Sequence, residues 1–276
     1  MPEDYDAPRS GTVTGTRRGG ARTVGSMKVA SSSASFAAAF ARGELTQLEW
    51  LDLCANELEL DGVVFEAAHF PRLDADYLAQ LKKWAVDLGL TVAAVAADGI
   101  LAPDGARWLD VACALGAPLV VTRAAAASDQ ASGWGAFAET LGARARDAKR
   151  LNVTLALRDA PATLCTDSAD LARAAKDVDS AWLRYALDTH ALAARDPRAL
   201  AKAVIAQHAI GDLVRFATDG DPEAHSLIAG LARFRGFVVL DAAPRAAPGD
   251  AYHRAIERFT TLRATRLAAG SGAPTR

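Results

Sequence analysis

The chain has 276 residues, a mass of 28.9 kDa, 51% hydrophobic and 23% charged residues, and a formal net charge of -2 with a pI near 6.2. That is material for one large α/β domain with an extensive core, and it excludes a chain disordered throughout. With no basic field to attract phosphates, a nucleic-acid partner is disfavoured.

Residues 1–26 are rich in Gly, Thr, Arg and Ser, and Arg17-Arg18 is followed by no apolar run. Neither a secretory nor a twin-arginine signal is expected there, and the segment reads as a disordered tail or a non-native upstream extension. Met27 is a candidate start of translation, which N-terminal sequencing of the native protein would decide.

From Met27 onward, short apolar runs alternate with helical patterns, as βα units do. The first strand is expected over Lys28 to Ser32, followed by one helix with Leu45, Leu48, Leu51, Ala55 and Leu58 on its apolar face. Leu60-Asp61-Gly62 closes that unit. A second strand over Val63 to Ala67 leads to a helix over about 74–88, stopped by Gly89. Strand 3 spans Thr91 to Ala96, a helix runs from Gly105 to Leu115, and strand 4 covers Pro118 to Thr122. The apolar run Ala93 to Ala97 is broken by Asp98-Gly99 and is too short for a membrane. A longer helix from Trp134 to Arg150 precedes strand 5, Asn152 to Asp159. Thr166-Asp167 opens a short helix, and strand 6 is Leu183 to Asp188. Asp196-Pro197 and Asp221-Pro222 each start a helix with an N-cap and a proline at the first position, bracketing strand 7 from Asp212 to Ala217. Strand 8 is Phe237 to Asp241. The last helix, 250–268, aligns Tyr252, Ile256, Phe259 and Leu262, and residues 269–276 fray.

Eight such units over 27–268 predict a single (β/α)₈ TIM barrel. A doubly wound dehydrogenase is the weaker rival, because no G-x-G-x-x-G follows strand 1. Cys54, Cys113 and Cys165 show no metal-ligand spacing and no disulfide framework, which fits reduced thiols in a cytoplasm. In strand 5, Val153, Leu155 and Leu157 alternate with Thr154, Ala156 and Arg158. The bulky row should pack on the helices, and Arg158 should point inward at the carboxyl-end mouth.

The pieces MKVASSSASF, DGVVFEA, DLGLTVAAV, NVTLALRDA, LRYALDTHAL and RGFVVLDA, in this order and spacing, resemble the xylose isomerase-like barrels of the sugar phosphate isomerase/epimerase family. The resemblance covers Met27 to about Ala268. It implies a divalent metal at the mouth, held by a Glu ending strand 5, an Asp ending strand 6, a His on strand 7 and a Glu ending strand 8, with a carboxylate moving a proton between adjacent sugar carbons. This chain departs from that pattern. It offers Arg158 for the first Glu, keeps Asp188, offers Arg215 for the His and Asp241 for the last Glu. Two ligands of four have become cations, and a guanidinium has no lone pair for a metal. His190 follows Asp188 by two residues where the family's histidine follows by three.

Loss of the metal is therefore the reading, with no cofactor expected; Mn²⁺ or Mg²⁺ enters only if the strand-end register differs. Arg123, Arg158 and Arg215 would converge with Glu66, Asp98, Asp188 and Asp241, the arginines pairing with Asp188 and Asp241 in the vacated volume. Catalytic candidates are Asp188, His190 and Glu66; substrate-binding candidates are Arg123, Arg158, Arg215, Asp241 and His69. Structural salt bridges are the duller reading of the charged residues, and a loop or cap position that of His190. His69 reaches either the mouth or the surface, depending on the Pro71 turn. Trp134 and Phe137 read as packing, with cover for a sugar ring as the alternative.

Two function classes remain: a carbohydrate isomerase or epimerase of altered mechanism, and a non-catalytic relative that binds a sugar or an anionic sugar acid, or partners an active paralogue. A homodimer stays open as an assembly. A multi-metal DNA-repair endonuclease on a related barrel would need many histidines, and the chain has 5.

Overall fold

In the computed structural model the described residues are 28–126, 133–188, 213–217 and 236–241, together with Arg254, Glu257 and Thr261, which are helical. The strands are β1 (Lys28–Ser32), β2 (Gly62–Glu66), β3 (Thr91–Ala96), β4 (Leu119–Arg123), β5 (Thr154–Arg158), β6 (Leu183–Asp188), β7 (Leu213–Ala217) and β8 (Phe237–Asp241). They close into one parallel barrel in chain order, with β8 returning to β1 in the register Lys28↔Phe237 to Ser31↔Leu240. The α/β barrel read from the alternation is the fold. The expected tail 1–26, the helices opened by Asp196 and Asp221, the span of the last helix and the terminal 269–276 lie outside the described residues.

The period of two divides the core into two compartments. Inside the barrel, Ala30, Val64, Ala94, Leu119, Val121, Ala156, Ala186 and Val239 form one small-residue cluster. Outside, Val63, Phe65, Val92, Val95, Val120, Leu155, Leu157, Leu183, Tyr185 and Val238 pack against the helices in a larger one. Val153, Leu155 and Leu157 thus face outward and Ala156 inward, as the alternation requires. Small inward residues suit a closed barrel, where eight strands leave room for little more than side-chain layers. Register shifts between Val63 and Val64, so that Val63 opposes Val92 but Val64 opposes Ala94. That bulge brings both Ala93 and Ala94 into the interior cluster.

The helices around the sheet are α1 (Ala37–Ala41), α2 (Gln47–Asp52), α3 (Ala75–Asp87), α4 (Arg107–Leu115), α5 (Gly133–Arg150) and α6 (Ser168–Val178). The single helix expected after β1 is instead a 3₁₀ turn (Ser33–Phe36), α1, α2 and a π turn (Leu53–Glu57). Gly43 at φ 69 ends the first segment. Thr46 restarts the chain with a capping box, in which its hydroxyl accepts from Glu49 N and the Glu49 carboxylate accepts from Thr46 N. In the π turn Leu58 N reaches back to Leu53 O, which widens the helix and reseats its apolar positions. Trp50, fully buried, becomes the centre of this corner against Phe36, Phe40 and Phe65. Gly62, expected in a turn, is the first residue of β2, and Ala67 leaves that strand for a 3₁₀ turn (Ala67–His69). No helix among the described residues is long and apolar enough to cross a membrane.

Candidate active site

The carboxyl ends of β1 to β5 bring a polar group together above the apolar interior. At the end of β1 the Ser32 hydroxyl donates to Glu66 Oε1 at 3.0 Å, and its oxygen accepts from Ala34 N at 3.2 Å, capping the following turn. Ser33 Oγ accepts the Glu66 backbone N–H at 2.9 Å and lies 2.9 Å from His69 Nδ1. The Ser33 hydroxyl thus ties the β2 backbone to the imidazole, as donor to Nδ1 or as acceptor from it according to the tautomer of His69. Phe40 stacks on the imidazole, with centroids 5.0 Å apart and planes at 27°. His69 thus stays at the rim of the site and is not carried away by the Pro71 turn.

Glu66 ends β2 with its carboxyl pushed above the ordinary carboxylate range, chiefly by burial. The Ser32 hydrogen bond and the positive charge of Arg158 pull it back, while Asp98 pushes it up and His69 pulls it down. Burial in turn holds His69 below the ordinary imidazole value, partly offset by Glu66. The pair is a half-buried carboxyl and a half-buried imidazole biased toward its neutral form, tied to the same serine-bearing turn.

Across the mouth, Arg123 and Arg158 end β4 and β5 and are register partners, so two guanidinium groups start side by side. Asp98, two residues beyond β3, lies between them. It receives Arg123 Nη2 at 2.6 Å and Arg158 Nη2 at 3.4 Å from each carboxylate oxygen. Arg158 is 15% exposed and Arg123 48%. Arg158 Nε is buried and has no hydrogen-bond partner among the described residues. The described ion pairs of these arginines go to Asp98, which the loop after β3 carries over the neighbouring strand ends; the pairing expected with Asp188 and Asp241 rests on side chains outside the described residues.

Asp188 ends β6 and is the register partner of Arg215; Asp241 ends β8 and is the register partner of Ala217. Arg215 is also level with Val239, one layer below Asp241. The side chains of Asp188, Arg215 and Asp241, and all of His190, lie outside the described residues. Trp134 belongs to the helical layer: its Nε1 donates to Asp177 Oδ2 at 2.6 Å, and Arg173 covers its ring at 4.1 Å. Phe137 is buried beside it, with centroids 5.4 Å apart.

The described donors do not fit a divalent cation. Arg158 occupies the strand-5 end, Glu66 holds Ser32 and Asp98 holds two arginines. No group of three or more His, Cys, Asp or Glu among the described residues is placed to hold a metal. What the arrangement offers is a half-buried carboxyl able to accept a proton, at the same barrel mouth as fixed positive charge that can hold an oxyanion. Ser32 and Ser33 were not singled out as site residues from sequence, whereas Asp98 was expected among the charges converging on the mouth. The signal for the serines was a polar triplet, Ser31 to Ser33, ending an otherwise apolar strand.

Comparison with known proteins follows this geometry. A family model described as a xylose isomerase-like TIM barrel matches residues 53–214, more than half of the chain. No curated protein matches the sequence. The structure is similar to 3-keto-D-glucoside 4-epimerase, YcjR, from E. coli in its apo form, with TM-score 0.67 and 17% identity over 86% of this chain and 100% of that one. It is similar to an L-ribulose 3-epimerase, with TM-score 0.67 and 16% identity over 91% and 100%. A probable 3-DHS dehydratase, AsbF, from Bacillus anthracis gives TM-score 0.66 and 14% identity over 85% and 99%. At these identities the likeness is one of fold.

Proposed function

The chain belongs to the xylose isomerase-like TIM barrel family, and from that premise we propose that it acts on a small carbohydrate at the carboxyl end of the barrel without the family's divalent metal. The observation that carries the reading is a half-buried Glu66, raised above the ordinary carboxylate range and within the electrostatic reach of the partly unpartnered guanidinium of Arg158. In the proposed reaction the Glu66 carboxylate takes the proton from a carbon next to a sugar carbonyl. The electron pair of that C–H bond forms the C=C of an enediolate, and the carbonyl π pair moves to its oxygen. Arg158 holds the resulting oxyanion; return of a proton to the same carbon on the other face gives the epimer, whereas protonation of the former carbonyl carbon, with the adjacent hydroxyl proton passing to the oxyanion, gives the isomer. Asp188 and His190 are the candidates for returning the proton on the opposite face. Arg123, half exposed at the rim, would take a phosphate or carboxylate on the sugar, with Arg215, Asp241 and His69 completing the pocket. The likeness to a 3-keto-D-glucoside 4-epimerase and to an L-ribulose 3-epimerase supports the substrate class.

The test is deuterium exchange at the carbon beside the carbonyl, followed by NMR in D₂O with 3-keto-D-glucose and L-ribulose, free and phosphorylated. Exchange that Glu66→Gln slows by about 10²-fold or more supports the reading. Absence of both exchange and binding with every one of these sugars sinks it. A second reading, a non-catalytic carbohydrate-binding or partner subunit, rests on the two arginines that share Asp98. Saturable sugar binding without exchange would select it.

A further inference from the structure

Behind the mouth, between α1, the start of α2 and the turn after β2, lies an open cleft of about 830 Å³. Its size falls in the range of roughly 300–1,000 Å³ typical of small-molecule sites. Phe40, Leu45, Leu48, Phe70 and the Tyr77 ring give it apolar walls, and His69 forms the wall it shares with the mouth. Gln47, only 2% exposed, also lines it. Its Oε1 accepts from the Tyr77 hydroxyl at 2.9 Å, whereas its Nε2 is buried and has no hydrogen-bond partner among the described residues. A primary amide nitrogen carries two donors, and leaving both unmet in an apolar wall costs stability that a ligand acceptor restores.

The charges around the cleft are already engaged. Arg72 lies over the Tyr77 ring at 4.8 Å and pairs with Asp74 at 3.4 Å. Burial favours the neutral form of His69. Nothing on the described walls calls for an ion, and the one unmet group is a donor.

We propose that this cleft is a second binding site, for an uncharged, largely apolar ligand that presents one hydrogen-bond acceptor to Gln47 Nε2. It goes beyond the carbohydrate reading of the mouth and does not depend on it. The measurement is titration of the full chain with benzamide and with toluene, the same ring without the carbonyl, followed by NMR of the Gln47 side-chain amide and the His69 ring. Benzamide is expected to bind saturably at one site, shift the Gln47 amide signals and exceed toluene about tenfold, the yield of one hydrogen bond. Gln47→Met should reduce benzamide to the level of toluene. Ala37→Trp should fill the cleft and remove both; it serves as the test if the Gln47 variant does not fold. Failure of benzamide to saturate overturns the proposal. So does binding that leaves the Gln47 amide unshifted, or that persists in a folded Ala37→Trp protein.

Discussion

Ser32 reaches from the end of β1 to Glu66 at the end of β2, its hydroxyl donating to Oε1 at 3.0 Å. The bond stabilises the charged form of a carboxyl that burial pushes toward the neutral one. Folding raises the Glu66 pKa, so the native state holds its proton to higher pH than the unfolded chain. Stability from this group is therefore complete below the ordinary glutamate value of about 4.3 and is lost as pH rises through the raised native value. Relative to Glu66→Gln, the native protein should lose stability with rising pH across that window, as read from urea midpoints. Ser32→Ala should move the Glu66 titration, followed by ¹³C NMR of its carboxyl, to still higher pH. A native protein that gains on Glu66→Gln as pH rises would show that folding depresses this pKa.

The donor set at the mouth makes a prediction for metals. Stoichiometric divalent metal should not co-purify, by mass spectrometry. Adding Mn²⁺, Mg²⁺, Co²⁺ or Zn²⁺ should leave the Tm unchanged, whereas a resident ion at 100 times its Kd would add about 2.7 kcal/mol. A stoichiometric ion that Asp188→Ala removes would defeat the metal-free reading and restore a metal-dependent isomerase.

Gly62 is required by the closeness of its neighbours rather than by a special backbone angle. A Cβ there would stand 2.7 Å from Phe237 Cε1 and 2.7 Å from Thr91 O. The ring could swing aside, but the carbonyl belongs to the strand pairing Gly62↔Thr91 and moves only with the sheet. Gly62→Ala should cost about 1–3 kcal/mol by overpacking. Chemical denaturation checks this, and a midpoint equal to the native one would mean that the amino end of the barrel is looser than described.

Arg144 on α5 fastens the connection between β3 and α4. Its Nε donates to Ile100 O at 2.9 Å and its Nη2 to Ala102 O at 2.8 Å and Pro103 O at 3.1 Å, while Nη1 meets Asp147 at 3.0 Å. Arg144→Ala should cost about 2–3 kcal/mol, as a charged donor is lost. Arg144→Lys should recover only part of it, because one ammonium cannot serve a planar fork. Full recovery in Arg144→Lys, by urea denaturation, would reduce the role to charge alone.

The sequence by itself determined the barrel, because alternation of apolar residues along each strand and helical spacing between strands are local properties that survive without knowing any contact. Leu155 and Leu157 against Ala156 already separate the outer layer from the interior, and Arg158 at the end of that strand already argues against the metal pattern. Only the tertiary structure decided which partners the mouth residues take. Asp98 is a described partner of Arg158, and Ser32 and Ser33 hold Glu66 and His69. Gln47, a polar residue at an ordinary helix start, becomes an unmet donor in an apolar cleft only once α1 and the turn after β2 close around it. Periodicity fixes which way a side chain points along its own strand. Loops and a β3 bulge, whose geometry is settled by packing between distant segments, fix which groups from other strands it meets.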